Sequence, residues 1–352
     1  MTSNNTSKSS AIKAAQQRIK SNISSAGDIS QLARDVVDGK RDALARAITL
    51  IESNRASDRP LAHDLLMQVR SINNNAQESL RIGVTGIPGV GKSTFIERFG
   101  IDLIAKGHQV AVLAVDPSSQ RTGGSILGDK TRMEHLATNP EAFVRPSPAA
   151  DALGGVARAT MEAIVLCEAA GYDRIVIETV GVGQSETSVR DMVDVFCLLL
   201  IGGAGDEVQG IKRGIVEMAD LVIVNKADGE NIALCKDTAS AYRNALHLFP
   251  KPEGDNIVDV LTTSSINGEG HTEVHNKVKS LVELWKSNGF FESQRSNQQI
   301  DRMENHARAL LFENRFAKKG STDLWNELRD KVKSGHMSAF SAAWEWTKSA
   351  ES

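Results

Sequence analysis

Apolar residues repeat along this chain with two different periods. From Asp28 to about Asn73 they recur every three or four positions. Leu44, Ile48 and Ile51 form one stripe, and Leu61, Leu65, Leu66 and Val69 form another, which predicts amphipathic helices. Pro60 suits a first helical turn. From residue 81 onward, short apolar runs take over: 81–85, 109–115, 174–178, 193–201, 221–224 and 257–262. Bounded by polar turns, these read as buried strands. Helical segments fall between them at 156–170, 231–248 and 271–286, the first ended by Gly171. Such alternation predicts an α/β fold: a mostly parallel sheet flanked by helices, with ligands at the C-terminal ends of its strands. Beyond Ser287 no further strand is expected. Residues 294–318 and 321–348 read as two polar helices, carrying Met303, Leu310, Leu311 and Phe316 on one and Leu324, Trp325 and Leu328 on the other. Stripes of that kind need a surface to cover them, on the main domain or on a second chain.

Composition narrows the picture little. The 352 residues suit one large or two modest domains, and 41% hydrophobic content supports a sizeable core. A net charge of −3 implies no broad basic face, so no nucleic-acid partner is expected. The longest apolar run, 193–201 with Asp194 inside it, is too short to cross a bilayer, so no membrane partner is expected either. Cys167, Cys197 and Cys235 lie far apart among apolar neighbours and read as core residues of a reducing compartment. Residues 1–27 are rich in Ser, Asn, Thr and Lys and hold no acid, which reads as a disordered tail. A mitochondrial transit peptide is the alternative, and the single Arg18 counts against it. The expected location is therefore cytoplasmic, or the mitochondrial matrix on that alternative.

One segment changes the picture decisively. Gly86-Ile87-Pro88-Gly89-Val90-Gly91-Lys92-Ser93-Thr94 stands between a predicted strand and a predicted helix. That is the context a phosphate-binding loop requires. Its glycines let backbone N–H groups turn toward a phosphate, Lys92 reaches the β- and γ-phosphates, and Ser93 can hold Mg²⁺. The helix N-terminus adds partial positive charge at the same point. The fold expected is that of a P-loop nucleotide triphosphatase with N- and C-terminal helical extensions.

Four later segments refine the chemistry. Asn225-Lys226-Ala227-Asp228 follows a strand. Asp228 can accept from the N1 and N2 donors of guanine, which adenine lacks; Lys226 can lie over the base, and Asn225 can brace the loop. A site built for donors rejects a base without them, so GTP is expected over ATP. Ser264, Ser265 and Ile266 stand where a backbone N–H would meet the guanine oxygen. Glu178-Thr-Val-Gly181 closes another strand, where an acid serves the Mg²⁺ shell and Gly181 meets the γ-phosphate. Glu178 replaces the commoner Asp, and Val182 stands where a water-orienting glutamine is often found; Gln184 lies two positions further on. Slow intrinsic hydrolysis is expected. The stretch 122–133, with three glycines and Asp129, suits a loop that orders on metal and γ-phosphate. The glycine-rich stretch 202–213 carries Asp206 and Lys212 and reads as either a solvated helix start or a further switch. His271 and His275 share a helix face, yet no third metal ligand is evident.

These segments together resemble the methylmalonyl-CoA mutase-associated GTPases of the MeaB/ArgK type. The resemblance rests on D-P-S-S with G-G-S-I-L-G-D-K-T-R-M (116–133), R-P-S-P (145–148), L-G-G-V-A-R-A-T (153–160), E-T-V-G-V-G-Q-S-E (178–186), G-A-G-D-E-V-Q-G-I-K (203–212) and N-K-A-D (225–228). It extends to 39–52 and spans roughly residues 35–285. It implies a GTP-hydrolysing chaperone of an adenosylcobalamin-dependent acyl-CoA mutase, methylmalonyl-CoA mutase by default, which gates cofactor loading and protects the mutase. It implies a homodimer joined through the C-terminal helices. It implies Mg²⁺ held among Ser93, Asp116, Asp129 and Glu178, with Lys92, Asp129, Glu178, Asp206 and Lys212 serving hydrolysis. The organisation expected is a tail at 1–27, a helical arm at 28–78, a GTPase domain at 79–286 and a dimerisation arm at 287–352. Two other readings compete. A metallochaperone GTPase would need a Cys/His cluster near the nucleotide. An ATPase or kinase linked to amino-acid transport would need a base site other than Asn225 and Asp228.

Overall fold

The computed structural model describes residues 26–53, 55, 57–73, 78–115, 133–146, 153–179, 185–203, 213–249, 252–318 and 320–348. Three helices come first: α1 (Ala26–Val37), α2 (Arg41–Ile51) and α3 (Asp58–Ile72). There follow β1 (Leu80–Gly86), α4 (Lys92–Ala105), β2 (Val110–Val115), α5 (Glu134–Thr138), β3 (Ala142–Pro146), α6 (Leu153–Ala169), β4 (Arg174–Thr179), α7 (Ser185–Arg190) and β5 (Val195–Ile201). Then come α8 (Arg213–Met218), β6 (Leu221–Asn225), α9 (Asn231–Leu246), β7 (Asp259–Thr262), α10 (His271–Ser287), α11 (Phe290–Ala317), α12 (Ser321–Lys333) and α13 (Ala339–Lys348).

The seven strands form one sheet in the order β3-β2-β4-β1-β5-β6-β7, and every neighbouring pair runs parallel. Alternate residues of each strand feed two separate cores, as the two-residue period of a strand demands. Ile175, Ile177, Phe196, Leu198, Val222 and Val224 face one side; Val176, Val195, Cys197, Leu199, Leu221 and Ile223 face the other. Both faces are covered, so the strands read as continuous apolar runs rather than as alternating ones. β3 breaks that pattern. Its five residues include Arg145 and Pro146 and sit at the sheet edge, beside β2 alone, so no apolar run announces it.

The N-terminal helices belong to the first core. Leu44, Ile48 and Leu65 are fully buried in the cluster that holds the sheet residues Ile175 and Phe196. The three cysteines are buried and free.

The chain divides into two compact units, ending at Arg295 and beginning at Ser296. That division falls inside α11. The reason is local: Phe291 is buried in the second core, and Arg295 is bound to Asp194. In the second unit, residues 321–348 form two helices, not one. Gly335 takes φ +76, and the Lys331 carbonyl accepts from the N–H of His336 at 2.9 Å, which closes α12. Trp346 packs 4.8 Å from both Phe316 and Trp325, ring centre to ring centre, and with Leu328 makes a small core of its own.

Candidate nucleotide site

The parallel register brings the sequence-predicted loops to one edge. Gly86 of β1 stands beside Leu199 of β5, Glu178 of β4 beside Val84, and Asn225 of β6 beside Ile201. Each of these strands ends at that edge.

The phosphate loop runs from Gly86 to Thr94 and enters α4 at Lys92. Two glycines have steric reasons. A Cβ on Gly86, at φ +151, would come within 2.5 Å of the Leu199 carbonyl oxygen. One on Gly91, at φ +92, would come within 2.9 Å of Asn225 Nδ2. Both positions also lie where L side chains are strained. The Lys92 ammonium donates to the Gly86 carbonyl at 2.6 Å and to that of Ile87 at 3.3 Å, so it is folded across the loop. Burial pulls Lys92 below the ordinary lysine value, while Glu178 and Glu186 oppose that pull. Pro88 and Gly89 are exposed at the loop's outer turn, and Val90 is buried beneath it.

Glu178 is buried, and the Ser93 hydroxyl donates to its Oε1 at 3.0 Å. A hydroxyl and a carboxylate side by side at a helix start make a set of hard oxygen donors, the type Mg²⁺ prefers. One residue on, the Thr179 hydroxyl donates to that of Thr85 at 2.9 Å in a buried bond that ties the ends of β4 and β1 together.

The base-side loops are braced onto the phosphate loop. Asn225 Nδ2 donates to the Val90 carbonyl at 3.0 Å, and Lys226 Nζ to the Gly89 carbonyl at 2.8 Å. Asn225 Oδ1 accepts from the hydroxyls of Thr263 and Ser265, both at 3.2 Å. Asp228 Oδ2 accepts from the Ser264 hydroxyl at 2.6 Å. The N–H of Ser264 donates to the Glu269 carbonyl at 2.9 Å, so this backbone group is already committed. The side chain of Ser264 in turn holds Asp228. Lys226 carries φ +61, a left-handed turn that sets the following Ala227 N–H onto the Thr263 carbonyl.

Residues 44–320 match the model of the family described as Methylmalonyl Co-A mutase-associated GTPase MeaB. The chain belongs to that family. A relative from Caulobacter vibrioides named a putative GTPase is 49% identical over 316 residues, covering 90% of this chain and 96% of its own length. The mitochondrial methylmalonic aciduria type A homolog of Mus musculus is 47% identical over 277 residues, covering 77% and 67%. A solved structure of a LAO/AO transport system kinase superposes with a TM-score of 0.69 at 32% identity, covering 94% of this chain and all of that one.

Within this MeaB-family GTPase the structure thus brings together Gly86 to Thr94, Glu178, Asn225, Lys226, Asp228 and Ser264 to Ile266. Asp116, Asp129, Gly181, Val182, Gln184, Asp206 and Lys212 lie outside the described residues. Sequence reasoning missed the hydroxyl pair Thr85–Thr179 and the side-chain role of Ser264. It also missed Glu186, buried at 1% exposure in the first turn of α7 and near enough to Lys92 to act on its charge. Spacing could have suggested Thr85, which immediately precedes the phosphate loop. The predicted histidine pair does not act together: His271 is buried against the Phe95 ring, 4.9 Å centre to centre, while His275 is half-buried near His108. Among the described residues no group of three or more His, Cys, Asp and Glu is placed to hold a metal ion, and no helix is long and apolar enough to cross a membrane.

Proposed function

We propose that this chain is a GTP-hydrolysing chaperone of an adenosylcobalamin-dependent acyl-CoA mutase, with methylmalonyl-CoA mutase the first candidate. The nucleotide part rests on one observation: the Ser264 hydroxyl holds Asp228 while Asn225 holds the phosphate loop. A fixed carboxylate at that edge accepts from guanine N1 and N2 and leaves an adenine unpaired. The mutase part is supported by the family description and by the mouse relative's name.

On this reading Lys92 swings from the Gly86 carbonyl to the β- and γ-phosphates. The aliphatic stem of Lys226 covers the base, and the N–H groups of Ser265 and Ile266 meet its oxygen. Ser93, Asp116, Asp129 and Glu178 would hold Mg²⁺. When bound, the metal neutralises charge on the β- and γ-phosphate oxygens. Gly181 meets the γ-phosphate. Val182 cannot orient water, so hydrolysis in isolation is slow, on the order of 10⁻⁴ to 10⁻² s⁻¹. Asp206 and Lys212 respond to the mutase, which raises the rate by on the order of 10³ to 10⁵. The chain works as a homodimer through residues 287–352, in the cytoplasm or in a mitochondrial matrix.

GTP turnover with and without candidate mutases tests both parts. Turnover above about one per second without a partner would contradict the slow site, whose reference range is that of unstimulated GTPases. Absence of stimulation by every mutase tried would remove the chaperone role and leave the GTPase standing.

A further inference from the structure

The opposite end of the sheet holds a second cavity, of about 470 Å³. That lies within the range of small-molecule sites, about 300–1,000 Å³. Its walls are the starts of β1 and β4, the later turns of α4 and one face of α10. Leu80, Ile82, Phe99, Leu103, Val278 and Phe291 make the apolar part.

The polar part is organised around two histidines. His108 is fully engaged. Its Nδ1 lies 2.7 Å from Asp173 Oδ2, and its Nε2 lies 3.4 Å from an Arg174 guanidinium nitrogen. A guanidinium only donates, so Nε2 accepts and Nδ1 carries the proton toward Asp173. His275, with its ring 6.3 Å from that of His108, makes no hydrogen bond among the described residues. Burial pushes His275 down to about 4, helped by Lys106, His108, Arg174 and Lys279, which are all cationic or protonatable. At neutral pH it is an uncharged N–H donor facing an electropositive space.

The charges there do not cancel. Glu78 pairs with Lys286, Asp173 with Arg174 at 3.2 Å, and Glu283 with Lys279 at 3.8 Å. Lys106 is the additional cation acting on His275. One surplus positive charge beside His275, one neutral donor and an apolar wall describe the complement of a particular ligand class.

We propose that this cavity is a binding site for a monoanionic organic acid, with its carboxylate at His275 and the neighbouring Lys106 and its apolar body against Phe99, Leu103 and Val278. A monoanion matches the single surplus charge, where a dianionic phosphate would exceed it. Burying each methylene of such a body contributes about 0.8 kcal/mol, so an aliphatic tail supplies most of the affinity.

Calorimetric titration of the full chain with decanoate tests the site, with decylamine, decanol and inorganic phosphate as comparisons. Decanoate is expected to bind saturably, one per chain, and more tightly than the other three. Lys106→Glu reverses the surplus charge beside His275 and Val282→Trp fills the cavity; each is expected to weaken decanoate by about tenfold or more, a difference of about 1.4 kcal/mol. GDP affinity, measured in each variant, is expected to stay unchanged and reports that the fold is intact. Lack of saturable decanoate binding to the wild-type chain overturns the proposal. So does decanol or decylamine binding as tightly as decanoate, or equal decanoate affinity in wild type and in both folded variants.

Discussion

Asn225 Nδ2 donates a hydrogen bond to the backbone carbonyl of Val90 at 3.0 Å, joining the end of β6 to the phosphate loop across 135 positions of sequence. The same side chain accepts from Thr263 and Ser265, so one amide holds three loops in register. The nucleotide site is therefore a braced unit whose parts respond together to substitution.

Asn225→Ala is expected to weaken GDP binding and lower stability at once. It leaves the Val90 carbonyl and the Thr263 hydroxyl short of a partner, at a cost of about 1–3 kcal/mol for each buried group left unmade. Urea denaturation and GDP titration of the same variant check this. Asn225→Asp, which keeps the acceptor but loses the donor, is expected to behave much like Ala.

Asp228→Asn converts the acceptor proposed for guanine N1 and N2 into a group that can also donate. Loss of a hydrogen bond to a charged group costs about 1.5–3 kcal/mol, so GDP is expected to bind roughly 10- to 150-fold more weakly. Xanthosine diphosphate, which presents an oxygen where guanine has its amino group, is expected to bind the variant better than GDP does. Competition between the two nucleotides reads the change directly.

Asp194 is fully buried and accepts from Arg295 Nε at 2.8 Å, from an Arg295 terminal nitrogen at 2.7 Å and from the Arg81 N–H at 2.8 Å. Arg295→Ala strands that carboxylate, and removal of one partner of a buried pair costs about 3–5 kcal/mol. Chemical denaturation is expected to show a loss of that size. Arg295→Lys is expected to restore only part, because an ammonium cannot make the two-pronged contact.

His271 sets a pH dependence. It is buried against Phe95, neither ring nitrogen makes a hydrogen bond among the described residues, and burial pushes it from 6.5 to about 4. The unfolded chain binds the proton first, so stability rises with pH between about 4 and 6.5 and is lost as pH falls through that window. The full effect is on the order of 3 kcal/mol. Measured against His271→Phe, the wild-type chain is expected to lose that much more stability between pH 6.5 and 4, and no more below 4.

Much of this was legible in the chain itself. Gly86 to Thr94 announced the phosphate loop because its glycines, lysine and serine are needed for local reasons: backbone dihedrals and reach. β1, β2, β4, β5 and β6 were legible because both faces of a central parallel strand are buried, which writes continuous apolar runs. β3 was not, since an edge strand closes with Arg145 and Pro146. The break at Gly335 was not legible, because the apolar stripes on either side of it fit one long helix as well as two short ones.

Sequence alone determined that a guanine nucleotide triphosphate is the ligand to expect, since that expectation comes from the residue types at Lys92, Ser93, Asn225 and Asp228 and not from how the loops meet. Only the tertiary structure decided which groups hold those residues in place. Asn225 on Val90, Ser264 on Asp228, Ser93 on Glu178 and Thr179 on Thr85 are pairings between strands far apart in the chain, created by a parallel register that no local spacing encodes. The same register gathers His108, Asp173, Arg174 and His275 around an apolar cavity at the other end of the sheet, where no motif marks them.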